Sequence, residues 1–338
     1  MNGWSVHVVA VEKLAPFYAK HCGYSRVFAP GQMTLGFILP LEAYPDRPAP
    51  TMTDHQSTTR LADELGFAAL WARDVPTYDP SFGDVGQVFD PFTYLGYLAG
   101  NTKRIALGTA STVITLRHPL HLAKQASSVD QLSGGRLLLG VASGDRPVEY
   151  PSFGLAHDYE SRGERFREAF EMFRTATETS FPVGNFGRFG ALTGNVDTVP
   201  KPSVGRIPSF VTGRSRQDLD WIAQNADGWL YYYVALQHLG GLTTAWQDAV
   251  RTAHGDGAFR PFIQGMFLDL EENADTPLRP IHAGLRGGRN ALVEYLRAIR
   301  QRGVQHVMFN TKPSRRPLVD VMHEMGEFVL PEFPSLIT

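Results

Sequence analysis

The chain has 338 residues, enough for one (β/α)8 barrel with insertions and, on length alone, for two domains. Its formal net charge is −2 and no run of Lys or Arg forms a basic stripe, which argues against a nucleic-acid binder. Cys22 is the only cysteine, residues 1–10 lack the charged start and apolar core of a signal peptide, and no apolar run reaches membrane-spanning length. A cytoplasmic protein without disulfides or a membrane partner is therefore expected.

Residues 1–32 show weak periodicity and read as an N-terminal extension lying on the body, with the barrel domain spanning 33–338. Residues 33–40 read as the first strand, ended by Pro40. Thr53 and Gln56 fit a capping box for a helix whose apolar stripe is Leu61, Ala62 and Leu65 and which Gly66 stops. Residues 67–71 give a second strand, and 74–87 a long loop carrying Tyr78 and Phe82. Asp90-Pro91 then supplies a cap followed by proline at the first helical position, and 104–111 is the third strand.

The stretch 117–154 is the most informative. His118-Pro119 opens a helix with one apolar face, Gly134-Gly135 stops it, and 137–142 is the continuous apolar run of a parallel strand buried on both faces. The chain turns polar at Ser143-Gly144-Asp145-Arg146. That switch lies where parallel α/β folds place their chemistry. Residues 161–179 form a charged amphipathic helix, and 182–206 a surface hairpin and loop. Strands follow at 209–212, 228–232, 262–268 and 304–309.

Eight strands alternate with helices. The helix-to-strand joints are short and glycine-marked, whereas the strand-to-helix joints 74–90, 143–160 and 269–287 are long. Long ordered joints are uncommon without a function, so the pattern predicts an α/β fold, a (β/α)8 TIM barrel with insertions in its βα loops and its site beneath them.

Several motifs have both a chemical and a structural reading. Gly213-Arg214-Ser215 follows a strand, with Ser215 and Asp218 fitting a cap pair; such a junction presents N–H groups to an anion, or is simply a capped helix start. Gly140-Val141-Ala142-Ser143-Gly144 has its serine one place late for a nucleophile elbow. His118 and His121, with Asp74 across the mouth, lack a third imidazole for metal ligation, and no metal is expected. Asp130 and Arg136 read as a structural ion pair. Tyr231-Tyr232-Tyr233 reads as a mixture of core and rim aromatics.

Gly66-Phe67-x-x-Leu70-Trp71-x-x-Asp74, Ile105-Ala106-Leu107-Gly108-Thr109, His118-Pro119 through Asp130-Gln131-Leu132-Ser133-Gly134-Gly135-Arg136, Leu139-Gly140-Val141 to Phe153-Gly154, and Ala226-Asp227-Gly228-Trp229 together carry a resemblance. Over residues 33–332 the chain resembles the bacterial-luciferase-like superfamily of flavin-dependent oxidoreductases. The resemblance implies a barrel, usually dimeric, that binds reduced FMN or a deazaflavin coenzyme. It implies that Gly213, Arg214 and Ser215 hold the flavin phosphate, that Ser143 and Gly144 contact the phosphate or ribityl chain, and that Ala110-Ser111 forms a cis peptide beneath the ring. Asp74 matches an acidic position, here the candidate catalytic residue. The next residue, a histidine in bacterial luciferases, is Val75, which argues against light emission.

The expected reaction is a monooxygenation of a small organic substrate by O2 and reduced FMN, the flavin being supplied by a separate NAD(P)H-dependent reductase. Tyr78, Phe82 and Phe89 are the expected walls of a dry substrate pocket. A deazaflavin-dependent dehydrogenase or reductase, a non-catalytic flavin-binding protein and a metal-dependent hydrolase are the alternatives. FMN is preferred because Arg73, Arg117, Arg146, Arg214 and Arg216 are interleaved with acids and offer no cationic lane for a polyanionic tail, unless Arg279 and Arg286 supply one.

Overall fold

The computed structural model describes residues 23–82 and 84–336. Its strands in chain order are β1 (Thr34–Ile38), β2 (Ala69–Ala72), β3 (Ala106–Val113), β4 (Leu137–Ala142), a hairpin of β5 (Val183–Asn185) and β6 (Ala191–Thr193), β7 (Ser209–Thr212) and β8 (Gly228–Tyr231). They continue with β9 (Phe262–Leu270), a hairpin of β10 (Arg279–Ile281) and β11 (Gly284–Gly287), and β12 (His306–Asn310). The parallel strands pair in the order β1-β2-β3-β4-β7-β8-β9-β12, and β12 returns to β1. This is a closed (β/α)8 barrel, and each of the eight expected strands is one of its staves.

The helices are α1 (Gly23–Val27), α2 (His55–Leu65), α3 (Pro91–Asn101), α4 (Pro119–Leu132), α5 (Glu149–Ser152), α6 (Arg162–Glu178), α7 (Leu219–Asn225), α8 (Leu236–His254), α9 (Arg289–Gln301) and α10 (Leu318–Phe328). The long ones bury one stripe each, as on α6, where Phe166, Ala169, Phe170, Phe173 and Ala176 recur at helical spacing. The apolar run of β4 is explained by its two faces. Leu137, Leu139 and Val141 pack outward on the helices, while Leu138 points into the barrel.

Trp71 fills the middle of the barrel because Gly108 faces it: a Cβ there would lie 2.3 Å from the indole ring. Its Nε1 donates to His306 Nε2 at 3.0 Å. Accepting at Nε2 places the ring proton on Nδ1, which donates to Thr34 Oγ1 at 2.7 Å, and that hydroxyl donates to the Val27 carbonyl at 2.9 Å. Val27 and Phe28 thus close the lower end of the barrel against Phe210, Ile263 and Met308. The part of the expected extension on residues 1–22, including Cys22, lies outside the described residues.

Three local expectations are corrected. Helix α2 starts at His55 after Asp54, with no side-chain cap, so Thr53 and Gln56 form no capping box. Glu42 holds the preceding chain by accepting from Thr51 N and Met52 N, Thr53 bonds the Thr51 hydroxyl, and Gln56 reaches Asn101. Asp130 and Arg136 do not pair. Asp130 accepts from Ser203 N and Oγ, while the Arg136 guanidinium donates to the carbonyls of Ala99, Thr102, Ile105 and Ser133. Helix α7 begins at Leu219, not at Ser215. Asp218 alone caps it by accepting from Trp221 N, and Ser215 Oγ donates back to Thr212 O.

Candidate functional site at the barrel mouth

The C-terminal ends of β2, β3, β4 and β7 carry most of the candidate residues. In the β3–β4 ladder Thr109 faces Leu139 and Thr112 faces Val141, so Ala110 and Ser111 form a bulge opposite Gly140. The Ala110–Ser111 peptide is cis. Gly140 is required for so close an approach: a Cβ would lie 2.0 Å from Thr109 O and 3.1 Å from Ser111 Oγ. The Ser111 hydroxyl is hydrogen-bonded to Thr212 Oγ1, which ties the bulge across β4 to the end of β7. Ala110, Ser111 and Ala142 are small and half-exposed, leaving a flat floor.

Asp74 stands at the end of β2 with its side chain 2% exposed. Its Oδ1 accepts from Arg117 Nη2 at 2.8 Å, and Oδ2 from Arg117 Nε at 3.1 Å and from Val113 N at 3.0 Å. Both oxygens of this candidate catalytic residue are engaged in hydrogen bonds to the end of β3 and to Arg117. Arg117 also bonds Asp90 at 3.1 Å, and these two carboxylates outweigh burial to raise its pKa above the ordinary value.

Beyond β4, Ser143 is buried, and its carbonyl accepts from Thr115 Oγ1 and from the Tyr150 hydroxyl. Gly144 has φ +75°, and a Cβ there would lie 2.9 Å from Val113 Cγ1. Beyond β7 the chain makes a turn in which Gly213, Ser215 and Arg216 all have positive φ, at +54°, +45° and +62°. Among the described residues the N–H groups of Arg214, Ser215 and Arg216 find no acceptor. Arg214 lies over the Trp229 ring at 5.3 Å, and among the described residues neither Arg214 nor Arg216 enters an ion pair. Tyr232 packs beside Gly213, where a Cβ would come within 3.2 Å of its ring.

The three expected pocket aromatics do not form one wall. Phe82 stacks on the Arg146 guanidinium at 3.9 Å, above the loop after β4. Phe89 sits on the helices, 5.7 Å from the His55 ring and 5.4 Å from Tyr94, and Tyr78 is exposed. Phe89 instead lines a separate cavity of about 430 Å³, together with Asp74, Val75, Val88, Arg117 and Phe153. Sequence reasoning missed Thr77, Thr212 and Glu149. The Gly-Asp-Arg turn after β4 was the one signal for the region around Arg146.

His118 caps α4 by accepting from Leu120 N, and burial lowers its pKa. Its ring centroid is 6.2 Å from that of His121. Among the described residues no group of three or more His, Cys, Asp or Glu is arranged to hold a metal ion, and no helix is long and apolar enough to cross a membrane.

A closed parallel barrel with its candidate residues at the strand C-terminal ends defines the class of βα-barrel proteins that work at one face. Within it, the chain belongs to the luciferase-like monooxygenase family, whose sequence profile matches residues 33–304. It is 30% identical over 171 residues to the alkanal monooxygenase beta chain of Photorhabdus luminescens, covering 50% of each chain. It is 28% identical over 167 residues to the oxygenase component of the flavin-dependent trigonelline monooxygenase of Acinetobacter baylyi, covering 49% of this chain and 44% of that one. The matches thus span about half the length of these curated relatives. In fold it resembles an F420-dependent secondary alcohol dehydrogenase (TM-score 0.73, 17% identity, 90% of this chain and 100% of that). It also resembles the monooxygenase RslO1 from Streptomyces bottropensis (TM-score 0.70, 20% identity, 89% and 100%). The family includes flavin-dependent monooxygenases and supports an oxidoreductase.

Proposed function

We propose that the chain is the oxygenase component of a flavin-dependent monooxygenase, working as a homodimer on reduced FMN delivered by a separate NAD(P)H-dependent reductase. The observation that carries this reading is the turn at 213–216. There, among the described residues, three successive N–H groups find no acceptor, and Arg214 and Arg216 lie on the same turn outside any ion pair, on a backbone that Gly213 enters with positive φ. That donor set suits a phosphate dianion. The small residues Ala110, Ser111 and Ala142 suit a flat ring, with Ser143 and Gly144 beside the chain joining ring to phosphate.

Reduced FMN, when bound, supplies the two electrons with which O2 is activated for delivery of one oxygen atom to the substrate. The protein's part is binding, orientation and exclusion of water. Gly213, Arg214 and Ser215 hold the phosphate. Asp74 is assigned a positioning role: through Val113 N and Arg117 it fixes the end of β3, and with it the Ala110-Ser111 floor. Phe82 roofs the mouth from the loop after β2.

FMN is preferred to the deazaflavin because the cations on the loops after β9 and β12 are already paired. Arg279 bonds Glu271, Arg286 bonds Asp269, and Arg315 bonds both acids. The test is anaerobic titration of FMN and the deazaflavin, oxidised and reduced, followed by oxygen uptake with a reductase and candidate substrates. Tighter FMN binding with substrate-dependent uptake is expected. Tighter deazaflavin binding without uptake overturns the reading. Light scattering reads the dimer.

A further inference from the structure

Arg146 is 7% exposed, yet among the described residues none of its side-chain donors makes a hydrogen bond to the protein, its buried Nη1 included. The nearest carboxylate, Glu149 Oε1, stands 3.8 Å from Nη1, outside hydrogen-bond distance. Glu149 instead accepts from Thr77 Oγ1 at 3.2 Å, and burial pushes its carboxyl up from the ordinary value against the opposing pull of Arg146. Asp79, half-buried on the loop after β2, also contributes attraction. A guanidinium buried without hydrogen bonds is costly, and its planar fork matches a two-oxygen anion.

Its position bears on what it binds. Arg146 lies on the joint that follows β4, three residues beyond Ser143, and Phe82 covers the guanidinium face at 3.9 Å. The neighbouring Asp145 is felt by Tyr232, which packs on Gly213, so this joint and the turn after β7 share the mouth. The free N–H groups at 214–216 are a sufficient reception for one phosphate. Arg146 is a second, separate anion receptor.

We propose that Arg146 is the specificity-determining residue for the substrate, which carries a carboxylate, and that Phe82 packs over the ion pair so formed. The proposal rests on the oxygenase reading above for the meaning of "substrate". The carboxylate exchanges water for the guanidinium fork, and the apolar body of the molecule extends from it beneath Phe82 toward the Ala110-Ser111 floor.

The test uses the full chain, loaded with FMN and also flavin-free, and calorimetric titration with aryl and short alkyl carboxylates (benzoate, hexanoate) against their amides. The carboxylates are expected to bind the wild type, and the amides roughly tenfold more weakly or worse. Arg146→Met should lose carboxylate binding, and Arg146→Lys, which keeps the charge but not the fork, should fall between. The preference for FMN over riboflavin should be the same in wild type and Arg146→Met. Equal binding of carboxylates and amides by the wild type, or carboxylate affinity unchanged in a folded Arg146→Met, overturns the proposal. So does a collapse of the FMN preference in that variant, which would give Arg146 to the flavin phosphate. Failure of the wild type to bind any flavin would count against the oxygenase reading alone, because the flavin-free titrations still read Arg146.

Discussion

Arg117 grips Asp74 with two nitrogens, at 2.8 Å and 3.1 Å, on the same carboxylate that receives Val113 N. One ion pair therefore joins the end of β2 to the end of β3 and, through Asp90, to the start of α3. Removing the guanidinium leaves a buried carboxylate with a single backbone donor. Arg117→Met should cost about 3–5 kcal/mol, measured by urea denaturation, and should weaken FMN binding because the β3 end is released. An unchanged midpoint would show that this pair does not hold the mouth together.

The bulge at Ala110-Ser111 is possible only because residue 140 has no side chain. Gly140→Ala puts a carbon 2.0 Å from Thr109 O, against backbone that cannot yield cheaply. The expected cost is about 1–3 kcal/mol or more, with a larger proportional loss in flavin affinity than in stability. Gly134→Ala, where a Cβ meets open space at φ +68°, is the control: it should lower stability through backbone strain alone and leave flavin affinity intact.

The barrel framework was legible because its signals are local. The run at 137–142 needs two apolar surroundings to be stable, and the glycine pair before it can stop a helix wherever it falls. The candidate site was less so, because its side chains are defined by partners distant in the chain. Arg146 is remarkable only once Phe82 covers it, and Asp74 becomes an anchor only once Arg117 arrives. The Thr53–Gln56 pattern failed for the same reason. Glu42, on another segment, holds the chain before α2 in place of a capping box.

His306 makes stability depend on pH. Burial holds its pKa down to about 3, whereas an unfolded histidine titrates near 6.5. Between those values the unfolded chain binds the extra proton, so stability from this group is complete above 6.5 and is lost as pH falls, at roughly 1.4 kcal/mol per unit. His306→Gln can still accept from Trp71 and donate to Thr34. Its unfolding free energy should be flatter between pH 6.5 and 4.5 than the wild type's, by denaturant titration at each pH. Parallel curves would mean that His306 is not the group responsible.

The Arg136 guanidinium collects carbonyls at the ends of α3 and α4 that have no other use for their lone pairs. Lysine keeps the charge but cannot span Ala99, Thr102, Ile105 and Ser133 at once. Arg136→Lys should therefore destabilise by about 2–4 kcal/mol, one or two charged hydrogen bonds, with flavin affinity unchanged since the site lies at the opposite end of β4. Loss of flavin binding in a folded variant would contradict that separation.

Gly213 is the residue on which the phosphate reading can fail most clearly. Its φ of +54° is one that L side chains rarely adopt, and a Cβ would press on Tyr232 at 3.2 Å. A longer side chain is expected to crowd the turn that carries the free N–H groups, where the phosphate would sit. Gly213→Leu should weaken FMN binding at least about tenfold and riboflavin binding far less, because only the phosphate meets this turn. The Gly213→Ala variant separates strain from obstruction, since it carries the positive φ but little bulk. If both variants bind FMN and riboflavin as the wild type does, fluorescence titration will have removed the 213–216 turn from the site. If both lose FMN and riboflavin equally, the turn positions the ring and not the phosphate.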